Sequence, residues 1–99
     1  MKAQTVNVLY YRHNRQGAEI KQERGYVFKT ATGAKIIATR ESAGYRLSEY
    51  RSGALIGHAD RLRDAEQAAN DVIEMKCPDT STFMAVIEYH VERYGITNV

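Results

Sequence analysis

The sequence predicts an α+β two-layer sandwich, with an antiparallel sheet of four to five strands over residues ~4–57 followed by two helices, ~60–76 and ~80–94, packed on one face. Three observations carry this expectation. Up to Gly57, short β-branched and aromatic runs recur between glycine-containing breaks, the pattern of antiparallel strands and hairpins. Beyond Gly57 the apolar residues recur at spacings of three and four. The only proline, Pro78, divides that helical half in two.

The elements follow in order. Thr5 to Arg12 alternates Val6, Val8 and Tyr10 with Asn7, Leu9 and Tyr11, and the polar run His13 to Gly17 turns the chain. Ala18 to Glu23 returns as a partner strand. Arg24-Gly25 then breaks or bulges it before the Tyr26–Thr30 run, which leaves one kinked strand or two. Thr32-Gly33 is a tight-turn signal joining that run to Lys35–Thr39. Ser42-Ala43-Gly44 leads into Tyr45–Tyr50, and Arg51-Ser52-Gly53 into a short closing strand, Ala54–Gly57. In the first helix Leu62, Ala65, Ala69, Val72 and Ile73 form the apolar stripe, with Asp60 as its expected cap. The second helix offers Asp79-Thr80-Ser81 as cap oxygens, carries Phe83, Met84, Val86, Ile87, His90, Val91 and Tyr94 on one face, and stops at Gly95. Helices this short need the sheet to persist. No linker, repeat or low-complexity stretch divides the 99 residues, so a single domain is expected.

Composition narrows the function classes. A chain with 43% hydrophobic and 26% charged residues is globular rather than disordered. One cysteine, Cys77, makes no internal disulfide, and neither a signal-peptide core nor a membrane-spanning run is present, so a cytoplasmic location is expected. Charge is segregated: residues 1–53 carry ten Lys/Arg against four Asp/Glu, net +6, whereas residues 54–99 carry four against eight, net −4. A basic half of this kind attracts a polyanion or an acidic protein face.

Catalytic and metal chemistry find little support. His13, His58 and His90 have no partner at ligand spacing, and Cys77 has no Cys-x-x-Cys mate, so neither metal nor cofactor is expected. His58 reads as an ordinary residue near a helix start and His90 as a helix residue at the core boundary. Cys77 falls at a helix C-terminus, where the dipole disfavours a thiolate, and reads as a small buried hydrophobe. Thr32-Gly33-Ala34-Lys35 lacks the first glycine, the Ser/Thr and the following helix of a phosphate loop. Glu88 and Glu92, one turn apart, read as a solvated acidic face. No enzyme is expected.

Period-two geometry supplies a binding expectation instead. With Tyr26, Phe28, Ala34, Ile36, Ala38, Tyr45 and Leu47 turned to the helices, Val27, Lys29, Lys35, Ile37, Thr39, Arg46, Ser48 and Tyr50 face away. The reading is an open sheet face with Tyr50, Ile37 and Val27 at its centre and cations around them, so that Arg12, Arg15, Lys29, Lys35, Arg46, Tyr50 and Arg51 are the expected partner-binding residues.

Tyr45-Arg46-Leu47, Gly53, Ile56-Gly57, Asp64-Ala65, Ala68-Ala69 and Asp71 are similar to the last hairpin and Ala-rich helix of the plant-type AP2 domain and the related arm-binding domain of phage integrases. The resemblance covers about residues 44–71 and lacks the aromatic-threonine pair those families place before the helix. It implies that the sheet face opposite the helix is the working face, as in a sheet that enters a DNA groove.

The expected function is therefore a non-catalytic docking module whose basic Arg/Lys/Tyr sheet face binds an acidic macromolecular partner. Its expected setting is a phage or mobile-element inhibitor of a host nucleoprotein complex, including defence complexes. The alternative is a stand-alone DNA- or RNA-binding protein. No membrane partner is expected, and the apolar outward residues and the edge strand Val6–Tyr10 offer a seam for a homodimer.

Overall fold

Strands and helices fall where the two periodicities place them. The computed structural model describes residues 2–11, 17–77 and 79–99. Five strands, β1 (Ala3–Tyr11), β2 (Ala18–Lys29), β3 (Lys35–Glu41), β4 (Gly44–Glu49) and β5 (Leu55–Ala59), precede a 3-10 turn at Leu62–Asp64 and two helices, α1 (Ala65–Lys76) and α2 (Thr80–Tyr94). The sheet is an antiparallel meander in the order β1-β2-β3-β4-β5. Among the described residues no helix is long and apolar enough to cross a membrane.

The helix-facing side matches the alternation. Ile36, Ala38 and Leu47 are fully buried against Ala65, Ala69 and Ile73 of α1 and Phe83 and Ile87 of α2, with Tyr26, Phe28 and Tyr45 packed around them. Asp79 caps α2, its Oδ1 accepting from the Thr82 amide at 2.7 Å, which holds the carboxyl below its ordinary range. Two details of the first helix differ from expectation. Asp60 does not cap it: the chain passes through the 3-10 turn and α1 begins at Ala65, with no side-chain cap bond at either start. His58 lies in β5, opposite Arg46, rather than at a helix start.

The other side of the sheet overturns the open-face expectation. β2 is one continuous strand that changes partners, pairing with β1 through Ala18–Tyr26 and with β3 through Gly25–Lys29. The β1–β2 hairpin folds back across the sheet, and Val6 and Val8 of β1 pack on Ile37, flanked by Tyr10, Val27 and Tyr50. Val6, Val8 and Ile37 are at most 3% exposed. Each such side chain, taken out of water, contributes about 1.5–3 kcal/mol. Gly25 is what lets the strand pass so closely: a Cβ there would stand 3.0 Å from both Val6 Cγ2 and Ile37 Cγ2.

The last residues lock this cover in place. Thr97 donates its amide to the Arg51 carbonyl at 2.7 Å. The Asn98 side chain accepts from the Asn7 amide at 3.0 Å and donates to the Asn7 carbonyl at 2.8 Å and to the Tyr50 carbonyl at 2.9 Å. It thereby occupies the backbone edge of β1 as a neighbouring strand would. Arg46 takes the next acceptor along, the Leu9 carbonyl, at 3.2 Å. The seam expected along Val6–Tyr10 is thus filled from within this chain. Gly53, with φ 75°, makes room for the crossing, since a Cβ there would lie 2.6 Å from Leu9 Cβ and 2.7 Å from Thr97 Oγ1.

Candidate functional site

Seven residues carried the binding expectation, and the structure treats them differently. Arg12 and Arg15 lie outside the described residues. Arg46 is not on a free surface. Its guanidinium carbon sits 5.1 Å from the Tyr10 ring centroid, its Nη2 serves Leu9, and its Nε is buried without a partner among the described residues. The reason is the β1 cover, which also buries Ile37, Thr39 and Ser48. Tyr10 itself is anchored there by donating to Glu23, and burial together with that carboxylate pushes its phenol up to about 12.

The remaining four converge at one end of the sheet. Lys29 and Lys35 are directly paired across β2 and β3, so their side chains share the face away from the helices. Lys35 Nζ stands 3.9 Å from the centroid of the Tyr50 ring, a close cation–π contact. Tyr50 is held in turn by its amide, which donates to the Lys35 carbonyl at 2.9 Å. Arg51 follows in the β4–β5 turn, where the buried Glu49 carboxylate accepts from the amides of Arg51 at 3.1 Å and Ser52 at 2.8 Å. That turn is rigid at its base and presents Arg51 outward. Its guanidinium meets Glu88 of α2 at 2.5 Å, both side chains about half exposed.

Lys35, Tyr50 and Arg51, but not Lys29, edge a cavity of about 420 Å³ between the end of the sheet, α2 and the final residues. Ala34, Phe83, Met84, Ile87 and Ile96 supply most of its wall, with Lys35, Tyr50 and Arg51 at the margin. Met84 and Ile96 are each about half exposed, large apolar side chains left without a covering element. The sequence placed Met84 and Phe83 on one helical face, but Ile96 beyond the helix gave no periodic signal. An adjoining cavity of about 250 Å³ shares Gly33, Ala34, Phe83 and Met84 and has Glu74 and Asp79 on its far side. Lys35 and Arg51 line only the first of these cavities, and Glu74 and Asp79 only the second.

Comparison with protein-family models, with curated proteins and with solved structures returns no match to this chain. The stretch resembling the AP2 and integrase arm-binding domains does form a hairpin and a following helix, β4, β5 and α1. The implied working face is corrected, because β1 covers the side of the sheet opposite α1. Among the described residues no group of three or more His, Cys, Asp or Glu is placed to hold a metal.

A second polar feature escaped the sequence reading. Tyr11 at the end of β1 reaches His90 of α2, hydroxyl to Nε2 at 2.5 Å, with Tyr94 edge-on to the Tyr11 ring. Burial raises the Tyr11 phenol, and burial, then Arg93, lowers the His90 imidazole. Both directions keep the pair neutral. The contact ties the β1 cover to α2.

Proposed function

We propose that the chain is a non-catalytic docking module that captures an acidic macromolecular partner at the groove end of its sheet, through Lys29, Lys35, Tyr50 and Arg51. The observation that carries this reading is the meeting of Lys35, Tyr50 and Arg51 on the margin of one apolar cavity. An aromatic ring and a guanidinium beside an apolar pocket are the composition of interface hot spots, where a few anchors supply most of the binding energy. The proposed setting is a phage or mobile-element inhibitor that occupies a face of a host nucleoprotein complex stoichiometrically.

The test is capture from host lysate by wild-type protein and by the double variant Lys35→Glu, Arg51→Glu. A specific partner should be lost with the melting temperature unchanged, and phage infection assays with and without the gene address the setting. Equal capture by both proteins refutes the reading. The alternative, a stand-alone DNA- or RNA-binding protein, draws on the same cations, but a phosphate backbone leaves the apolar wall of Phe83, Met84, Ile87 and Ile96 unused. It requires a log–log salt dependence of about one unit per neutralised phosphate.

A further inference from the structure

We propose, resting on that docking reading, that the partner enters the groove as a peptide segment in which a large apolar side chain is flanked by carboxylates, and that Glu88 is an internal stand-in which this segment displaces from Arg51. The cavity is large enough for one or two bulky side chains and is walled mainly by apolar groups, so its centre selects an apolar anchor. Its margin selects charge. Lys35 and Arg51 line the first cavity, where the Glu49 carboxylate is already engaged by the amides of Arg51 and Ser52, and Glu74 and Asp79 line the adjoining one, so carboxylates are favoured at the first and repelled at the second.

Glu88 explains how Arg51 stays committed before the partner arrives. The pair is half exposed, spans from the β4–β5 turn to α2, and lies beside the cavity wall formed by Met84 and Ile87. An exposed ion pair of this kind is weak and exchangeable, worth a factor of about two to five in a binding constant. An incoming carboxylate that also buries an apolar side chain therefore has the advantage over Glu88. The guanidinium remains paired throughout, changing from the internal acid to the external one.

The experiment uses the full chain and a fluorescein-labelled peptide of sequence Gly-Asp-Leu-Phe-Asp-Glu-Gly, followed by anisotropy and by amide chemical shifts. Saturable binding is expected, with shifts at Met84, Ile87, Ile96 and Arg51. Glu88→Gln should tighten binding about two- to fivefold and Arg51→Gln should weaken it by a similar factor. In the Arg51→Gln background, Glu88→Gln should change nothing, because the competition it relieves is gone. Met84→Asp, at a half-exposed position that tolerates substitution, should abolish binding without unfolding the protein.

Equal affinity for a peptide with Ala-Ala in place of Leu-Phe overturns the apolar anchor, and equal affinity for one with lysines in place of its acids overturns the charge selection. An unchanged affinity in Glu88→Gln overturns the stand-in. If the peptide fails to bind while the Lys35→Glu, Arg51→Glu protein still loses its lysate partner, the peptide inference falls and the docking reading stands. If capture is unchanged as well, both fall.

Discussion

Replacing Asn98 with alanine removes the side chain that holds the β1 cover to the rest of the molecule. Three hydrogen bonds go with it, two to the Asn7 backbone and one to the Tyr50 carbonyl, from a residue that is 8% exposed. At about 1 kcal/mol net for each, the loss is about 3 kcal/mol. Water reaching the freed Asn7 groups returns part of this, which leaves about 2–3 kcal/mol. For a domain of this size, about 4–8 °C per kcal/mol converts that to a fall in melting temperature of about 10–20 °C. Asn98→Asp should cost at least as much, because it keeps an acceptor for the Asn7 amide but turns a carboxylate toward two carbonyls. Calorimetry reads the magnitude and amide exchange at Asn7 reads the location. A fall below about 3 °C with Asn7 still protected would show that the cover stands without this clasp, and the account of the second face would be wrong.

Three further outcomes follow from the same geometry. Gly53→Ala should destabilise by about 2–4 kcal/mol in urea unfolding, since it adds a left-handed strain to a Cβ placed against Leu9 and Thr97, and a neutral result refutes the tight crossing. Arg46→Met should leave partner capture intact while lowering stability by about 1 kcal/mol through the lost Leu9 contact; loss of capture with a normal fold would restore the open-face view. The His90 imidazole is depressed in the fold below its ordinary 6.5, so the unfolded chain binds more protons as pH falls through that value. Stability should therefore decline from about pH 6.5 downward to the folded-state value, and His90→Gln should flatten that limb of a urea-midpoint profile; an identical slope in the variant rejects the assignment.

Much of this fold was legible because period-two alternation is a local rule. Tyr26 and Phe28, Ile36 and Ala38, Tyr45 and Leu47 all face the helices as the alternation required. What the rule does not say is whether the opposite face meets water or another part of the chain, and that decided the fate of Arg46. Two signals pointed to the cover. β1 is apolar in both phases, with Val6, Val8 and Leu9 all buried, which is the pattern of a strand between two layers rather than at a solvated edge. Gly25 inside a strand marked a close approach of another backbone. The groove was half legible. Lys35, Tyr50 and Arg51 stood out by type, but their meeting depends on how the β2–β3 and β4–β5 turns end side by side with α2, and Ile96 and Asn98 lie in a non-repeating segment that periodicity does not reach.

The bond between Asn7 and Asn98 joins positions 91 residues apart in the chain. During synthesis β1 is made before every other element described, yet its outer edge is fastened only once residue 98 is available, long after Val6, Val8 and Ile37 have been able to meet. Until then the free edge of β1 is a template for pairing with another strand, so a chain halted short of residue 98 would be open to edge-to-edge association.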